Sequence, residues 1–523
     1  MIENNTTYPL VELCFLDKRE NAIKLTGRLY TKGVQDSLSY TINGKEKTAT
    51  LRGFTEINDT CRYIFEIYLD RSAISERAVI SFAHNTVTSH FFPIEMECNG
   101  YYVIDNSSIL YNEGQELVIE PYTKALLKAR KKKYKVFSFK KSALVAFAIR
   151  VIAKLLRPFQ KKDVWLISDR LDRAGDNGQA FFEYITKNTP ENVKPVFVLS
   201  KKSPDYKKMK ALGKVVNPYS PFYKIRYILA KMHISSQLDG SRLLKVRPYL
   251  KDLMNEQKTV FLQHGVIEHD SSSYYNRFDF GMDMFVTTTK GEYNSIVGID
   301  NYGCDSDVVE LCGLCRYDKL ENRAQKIIFV APTWRFALLE DTESLALKEG
   351  FDQSSYFKFY DGLLNNERLL KKAKEKGYKI CFYPHRMMQN AKKYFNLDNP
   401  NIIDGQGFSY TEMFATGAIL VTDYSSVQFD FSYLKKPVVY CQFDKAEFFS
   451  SHTCTEGYMD YERDGLGRVC YTLDSAVDTL CQYMDSGCAL EEKYEKRIDN
   501  TFMFTDKGNC ERTLKKILEI RNA

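Results

Sequence analysis

From Asp163 onward, short apolar runs alternate with stretches of helical spacing, and this alternation narrows the fold more than any other feature. Runs at 164–168, 193–199, 259–263 and 284–287 are rich in Val, Ile, Leu and Phe. After Glu321 the cycle restarts, with runs at 327–330, 379–383, 417–421 and 437–440. Runs this short and this apolar fit strands covered on both faces, as in parallel sheets with helical crossovers. Two successive sets predict an α/β architecture. Two Rossmann-like units, 163–322 and 323–523, would face each other across a cleft.

Ahead of them, residues 1–120 read as a small β-sandwich-like domain. β-rich runs at 11–15 and 63–69 are punctuated by turn signals such as Asn43-Gly44 and Asn99-Gly100. No catalytic constellation is evident there, and packing or partner binding is the expected role.

Between these parts lies a basic segment, 121–162. The net charge is +7, yet Lys124 to Lys162 holds 14 Lys/Arg and no acidic residue. The +7 minus these 14 leaves the remainder at −7. Such a distribution argues against a nucleic-acid partner and for one localised anionic contact. The run SALVAFAIRVIAKLLRPF has helical apolar spacing and ends at Pro158. Arg130, Lys131, Lys132, Lys133, Arg150, Lys154 and Arg157 are the candidate contacts to an anionic membrane surface. A solvated linker helix and an RNA contact are the alternatives. The uncharged apolar run 143–149 has seven residues, against about 20 needed to span a bilayer. The first residues do not read as a signal peptide. Thirteen scattered cysteines suit a reduced interior better than a disulfide scaffold. The expected location is therefore cytoplasmic, peripheral on the inner face of the cell membrane.

Ligands in doubly wound folds sit beyond the carboxyl ends of the strands. There the sequence places His264-Gly265, then Ala331-Pro332-Thr333-Trp334-Arg335, then His385, then Asp423-Tyr424-Ser425-Ser426 entering a helix. Hydroxyls at a helix start, with a guanidinium, suit phosphate oxygens. A histidine near neutrality takes a proton from an attacking hydroxyl. Gly265 lets backbone approach a substrate. Each part has a plainer reading: a structural histidine, an N-cap at Asp423, a core Trp334. Cys312-Gly313-Leu314-Cys315 has no second CxxC, and no metal site is expected. His452 and Cys454 have no matching partners, and His84, His90, His233 and His269 carry no usable signal. Walker A and GxGxxG patterns are absent from the sequence.

Taken in order, these residues resemble the CDP-glycerol glycerophosphotransferases that polymerise teichoic acids and some capsules. The resemblance covers about 163–515. It rests on Asp176-Asn177-Gly178, His264-Gly265, Gly313-x-x-Arg316-x-Asp318, Ala331-Pro332-Thr333-Trp334-Arg335 and His385. Thr422-Asp423-Tyr424-Ser425-Ser426-Val427-x-Phe429-Asp430 is the strongest match, followed by Lys436-Pro437, Asp460-Tyr461-Glu462 and Asp506-x-Gly508-x-x-Glu511-Arg512. Cys315 stands where the family usually has proline. The loops His264-Gly265-Val266-Ile267-Glu268-His269 and Pro384-His385-Arg386 depart from the usual HGTPLK and HP. Glycerol, ribitol and other groups thus all stay open as the transferred unit, with CDP-glycerol or CDP-ribitol as the expected donor.

The resemblance implies a GT-B-like fold and a lipid-linked or polymer acceptor. It implies His264 as general base and His385 as phosphate stabiliser. Arg335, Thr333, Ser425, Ser426 and Asp423 would bind the CDP moiety, with Gly265, Asp176, Asn177 and Arg316 as substrate contacts. No tightly bound cofactor is expected, and Mg2+ dependence is open, as are the oligomeric state and the primase or polymerase role. A nucleotide-sugar transferase and a non-catalytic membrane-docked scaffold are the competing functions.

Overall fold

A strand apolar on both faces needs cover on both, and the chain supplies it twice. A computed structural model describes residues 8–522, apart from 20, 58, 73–75, 83–85, 90–100, 105–107, 135–140, 239–249, 251–252, 255, 342–343 and 453. Its first parallel sheet runs in the order Val215–Val216, Val193–Val198, Asp163–Ser168, Met232–Ser235, Lys258–Phe261, Met284–Thr287, Val309–Leu311. Its second runs Ile402–Asp404, Lys379–Phe382, Ile327–Val330, Ile419–Thr422, Val438–Cys441, Arg468–Cys470. Met232–Ser235 is a strand that the apolar runs did not announce. It is four residues long and carries His233 and Ser235, yet it lies at the sheet centre. Its last residue, Ser235, accepts a hydrogen bond from Ser168 Oγ at 2.9 Å.

The N-terminal part is two sheets closing on one core. One orders Arg52–Ile57, Thr60–Asp70, Ala22–Thr31, Leu10–Lys18 and Thr86–Ser89. The other orders Lys45–Thr50, Ser37–Ile42, Ala78–Ser81, Glu116–Pro121, Ser108–Glu113 and Tyr101–Val103. Val11, Leu25, Phe65, Ile67, Leu110 and Ile119 fill the space between them. Asn43 and Gly44 have φ of 51° and 76°, the left-handed pair a two-residue hairpin turn requires. The Asn99-Gly100 signal lies outside the described residues.

This β part is fastened to the first parallel unit by buried cations. Arg277 forks onto Asp17 at 2.6 and 2.9 Å. Arg28 lies 4.3 Å from the centre of the Phe278 ring and donates to Asp279 at 3.1 Å. Lys24 donates to Asp305 at 2.8 Å. These charges are paired and hydrogen-bonded, the condition for burying them at tolerable cost.

The basic segment forms two helices, Lys124–Tyr134 and Lys141–Leu156. Arg130 corrects the expectation of a membrane contact. It is 6% exposed, stacks 3.4 Å from the centre of the Tyr111 ring and donates to Glu113 at 2.9 Å. The side chains of Lys131, Lys132 and Lys133 lie outside the described residues. In the second helix Ala146, Ile149 and Ala153 pack on Ile225, Ile228 and Leu250. Leu144, Phe147, Val151 and Leu155 point outward instead. Phe159, at 81%, and Phe222, at 68%, are also strongly exposed. Lys154 and Arg157 are exposed, Arg150 is half-buried, and Arg157 donates to the Leu253 carbonyl at 2.9 Å. Among the described residues no helix is long and apolar enough to cross a membrane.

The chain crosses between the parallel units twice. It leaves the first through the turn Cys315–Lys319 and returns as the helix Asn509–Asn522. That helix packs on Asn177–Lys187, and Arg521 donates to Asp163 at 2.8 Å. The two crossings touch: the Asp318 carboxylate accepts the backbone N–H of Asn509 and Cys510 at 2.9 and 2.8 Å. Gly313, at φ 82°, is needed there, since a Cβ would come within 2.2 Å of Asn509 Oδ1. Cys312, Cys315 and Cys510 are buried in the same core.

Candidate active site

Loops beyond the carboxyl ends of the two sheets meet: Gly265 of one abuts Ser426 of the other, and Arg316 joins Asp176 to Asp430. On the first, Asp169 follows its strand and is buried. Its carboxylate accepts the N–H of Asp176, Gly178 and Gln179 at 3.1, 2.7 and 3.0 Å, and Ser236 Oγ at 2.9 Å. Burial, then the nearby Asp176, push its carboxyl up to about 7. These bonds fix the loop that leads into the helix Asn177–Lys187. Asp176 caps that helix, accepting the Asn177 N–H at 2.8 Å. Asn177 is wholly buried and donates to the Gln263 carbonyl at 2.9 Å. Asp176 and Asn177 thus hold the site's backbone rather than face a substrate.

His264 is placed by its neighbours. Gln263 turns the chain at φ 61°. Glu292 then accepts the N–H of Ile267 at 2.6 Å and of Thr288 at 2.7 Å. Burial pushes its carboxyl up to about 7. The His264 ring is half-buried, and the Tyr275 hydroxyl lies 3.3 Å from Nε2. Burial, then the charges of Arg170 and Arg316, hold His264 down at about 4, so the ring is neutral at pH 7. Gly265 abuts the opposite unit, where a Cβ would sit 2.7 Å from Ser426 Oγ. A side chain there would displace the Ser426 hydroxyl.

Arg316 ties the units together. Nε and Nη2 fork onto Asp430 at 2.6 and 2.8 Å, and Nη1 donates to Asp176 at 2.8 Å and to the His264 carbonyl at 2.9 Å. Its reading as a substrate contact is corrected: the guanidinium is spent on carboxylates from both sides.

Arg335 is corrected in the same way. It is 4% exposed. Nε and Nη2 donate to Asp444 at 2.8 and 3.1 Å, Nη2 to Asp423 at 2.8 Å, and Nη1 to the Thr333 carbonyl at 2.9 Å. Asp423 is fully buried and also accepts the Thr333 and Tyr424 N–H at 2.9 and 2.7 Å and Tyr360 Oη at 3.0 Å. Arg335 and Asp423 therefore brace the loops at 331–335 and 423–426 from behind. Thr333, Ser425 and Ser426 remain partly exposed at the front.

His385 follows the strand Lys379–Phe382 and stacks on Trp334, with centroids 6.3 Å apart and an 18° tilt. The Met387 N–H donates to Nδ1 at 3.3 Å, leaving Nε2 to carry the proton of the neutral ring. Burial, then Arg170, His452 and Arg386, lower His385 to about 4. The site thus holds residues the sequence reading passed over. His452 meets Trp334 edge-on at 4.8 Å. Tyr275 touches His264, and Arg170 bears on both histidines. Their signal was position alone, at the ends of strands or in the loops behind them. Among the described residues no group of three or more His, Cys, Asp or Glu is placed to hold a metal ion.

The family model described as CDP-Glycerol:Poly(glycerophosphate) glycerophosphotransferase matches residues 149–519. The minor teichoic acid biosynthesis protein GgaB of Bacillus subtilis is 36% identical over 411 residues, 77% of this chain and 44% of that protein. A teichoic acid poly(glycerol phosphate) polymerase of Staphylococcus epidermidis is 23% identical over 366 residues, 64% of this chain and 47% of that one. The chain spans about half the length of these curated relatives. The solved structure of the wall teichoic acid polymerase TagF superposes with a TM-score of 0.52 at 18% identity, covering 76% of this chain and 96% of that one. That likeness is one of fold.

Proposed function

Since the chain belongs to the CDP-glycerol:poly(glycerophosphate) glycerophosphotransferase family, we propose that it moves a polyol phosphate, glycerol phosphate first, from a CDP-polyol to an acceptor hydroxyl. The observation that carries this reading is a pair of neutral histidines, His264 and His385, at the strand ends of two parallel sheets. The arrangement is GT-B-like, with the acceptor on the first unit and the donor on the second. The acceptor oxygen attacks the β-phosphorus, the bond to the CMP oxygen breaks, and CMP leaves with the electron pair. His264 takes the hydroxyl proton. His385 donates from Nε2 to a phosphate oxygen, with Ser425, Ser426 and Thr333 beside it. In phosphoryl transfer this positioning and charge placement carry most of the catalysis.

The test is CMP release by the purified protein given CDP-glycerol or CDP-ribitol, with a lipid-linked or glycerol phosphate acceptor. Acceptor-dependent release supports the reading and names the donor. No release with either CDP-polyol overturns it, and UDP-sugars are then tested.

A base works unprotonated, so kcat/KM falls as pH drops through the free-enzyme pKa. With both rings near 4, the rate is expected to hold from pH 8 to about 5 and to fall only below that. A limb centred near 6.5, the ordinary histidine value, would show that burial does not lower the base's pKa in the working enzyme.

The acceptor is read as membrane-linked, and the helix Lys141–Leu156 as the element that reaches it at the cytoplasmic leaflet. Its outward Leu155 and the neighbouring Phe159 supply apolar area beside Lys154 and Arg157. Each such side chain is worth about 1.5–3 kcal/mol when buried. Leu155→Ser with Phe159→Ser is expected to weaken binding to anionic vesicles at least ~10-fold while sparing turnover of a soluble acceptor. Unchanged flotation with vesicles would refute the membrane role.

A further inference from the structure

The loop that carries His264 runs on into the second unit. Gly265 abuts Ser426, and Val266 lies in one apolar core with Phe329, Leu420, Tyr424 and Phe429. Glu268 and His269 follow, 3% and 9% exposed. Gly457 has no room for a side chain there, since a Cβ would collide with the Glu268 carbonyl oxygen. Asp270 then pairs with Thr455 in a single β-bridge, and the His269 ring meets Phe449 edge-on at 5.2 Å. Two ionisable side chains are thus buried between the units, and the chemistry above uses neither.

The partners of Glu268 fix its state. Oε2 accepts Gln428 Nε2 and, at 3.2 Å, Tyr461 Oη. Tyr440 orients the Gln428 amide: its Oη accepts the Leu466 N–H at 3.1 Å and donates to Gln428 Oε1, which turns the NH2 group toward Glu268. Oε1 faces His269 Nε2 at 3.7 Å, and among the described residues neither atom has a hydrogen-bond partner. No Lys or Arg among the described residues pairs with this carboxyl. A carboxyl this deep without a cation gives up its charge. A proton on Oε1, directed at Nε2, serves both open atoms. Burial accordingly pushes Glu268 up to about 8 and, against a hydrogen bond to the Tyr424 backbone, holds His269 down at about 4. Tyr458, Cys454 and Asp423 also surround the pair, with His452 and Lys445 on the His269 side.

We propose that Glu268, as the neutral acid, and His269 are positioning residues: they dock the loop of His264 onto the helix that begins beyond Ser425 and Ser426, and so set the proton acceptor against the phosphate site. Gln428 is the link, since it lies on that helix, Val427–Tyr433, two residues beyond Ser426. What the two loops do once docked rests on the transferase reading above; the docking itself does not. Ionised, Glu268 needs water. Docking therefore weakens as pH rises above the ordinary carboxyl range and is lost through about 8.

The experiment compares wild type, Glu268→Gln and Glu268→Leu in the full chain. Hydrogen-exchange protection of the backbone at 264–270 and 427–433 reads docking without turnover. CMP release from CDP-glycerol or CDP-ribitol reads its consequence. The glutamine keeps an acceptor for Gln428 and Tyr461 and an N–H for His269. It is expected to match wild-type protection and to retain most of the rate at pH 7. Above about pH 8 wild type is expected to lose protection and rate, and the glutamine variant to hold both. Leucine fills the space but leaves Gln428, Tyr461 and His269 unsatisfied. Protection is expected to fall in both segments, and kcat by about 10-fold or more. KM for the CDP-polyol should change little, because the donor is read onto the second unit alone. If Glu268→Gln behaves like Glu268→Leu, the charged form does the docking and the proposal fails. It fails equally if Glu268→Leu is protected like wild type, or if the glutamine leaves the alkaline fall in place. Should Glu268→Leu not fold, the protection and pH profile of Glu268→Gln decide. If wild type releases no CMP from any CDP-polyol, the transferase reading fails, and hydrogen exchange still decides the docking.

Discussion

His264→Ala and His385→Ala each lower acceptor-dependent CMP release by about 100-fold or more, the usual weight of positioned acid–base groups. Neither ring anchors a core, for both are half-buried at the cleft surface. Thermal unfolding is therefore expected to stay near wild type, which separates lost chemistry from lost fold. The two variants should differ in kind. His264 is read as the proton acceptor, and its loss falls on the step that consumes the acceptor hydroxyl. His385 is read as a donor to phosphate oxygen, so His385→Gln, which keeps an N–H, should recover more rate than His385→Ala. Near-normal turnover in either alanine variant would remove that residue from the mechanism.

The second large effect is on stability. Arg335 sits between Asp423 and Asp444 with every contact charge-assisted and the ring faces of Phe448, Tyr356 and Tyr424 around it at 4.9 to 5.4 Å. Arg335→Met leaves two buried carboxylates facing each other without a cation. Breaking one partner of such a group costs about 3–5 kcal/mol, which urea unfolding of the second unit would read directly. Adding Asp423→Asn and Asp444→Asn should return most of that loss while activity stays low, because the loops bearing Thr333 and Ser425 would still lack their brace. A wild-type unfolding midpoint in Arg335→Met would show that the buried triad is not what holds these loops.

Much of the fold was legible because burial on both faces leaves its mark on composition. The runs at 164–168, 259–263, 327–330 and 417–421 read as parallel strands, and His264 and His385 were found simply by reading past strand ends. The hairpin at Asn43-Gly44 announced itself through residues that tolerate positive φ. What stayed hidden was pairing over long separations. Nothing local tells that Arg335 will meet Asp444, 109 residues on, or that Arg130 will fold back onto Glu113 and Tyr111. An arginine in a motif looks available until its partner is known. The strand Met232–Ser235 was missed because a polar residue at every second position dilutes a four-residue signal.

The two chain crossings have a mechanical meaning. A single tether would let the halves twist and slide. Two tethers stapled side by side by Asp318 leave one soft motion, a swing like that of a book about its spine. Arg316 stands beside that staple, gripping Asp176 of one cover and Asp430 of the other. The charges that set the backbone of His264 therefore lie at the pivot, where displacement is least. A swing about that spine moves the fore-edge most and the backbone of His264 least.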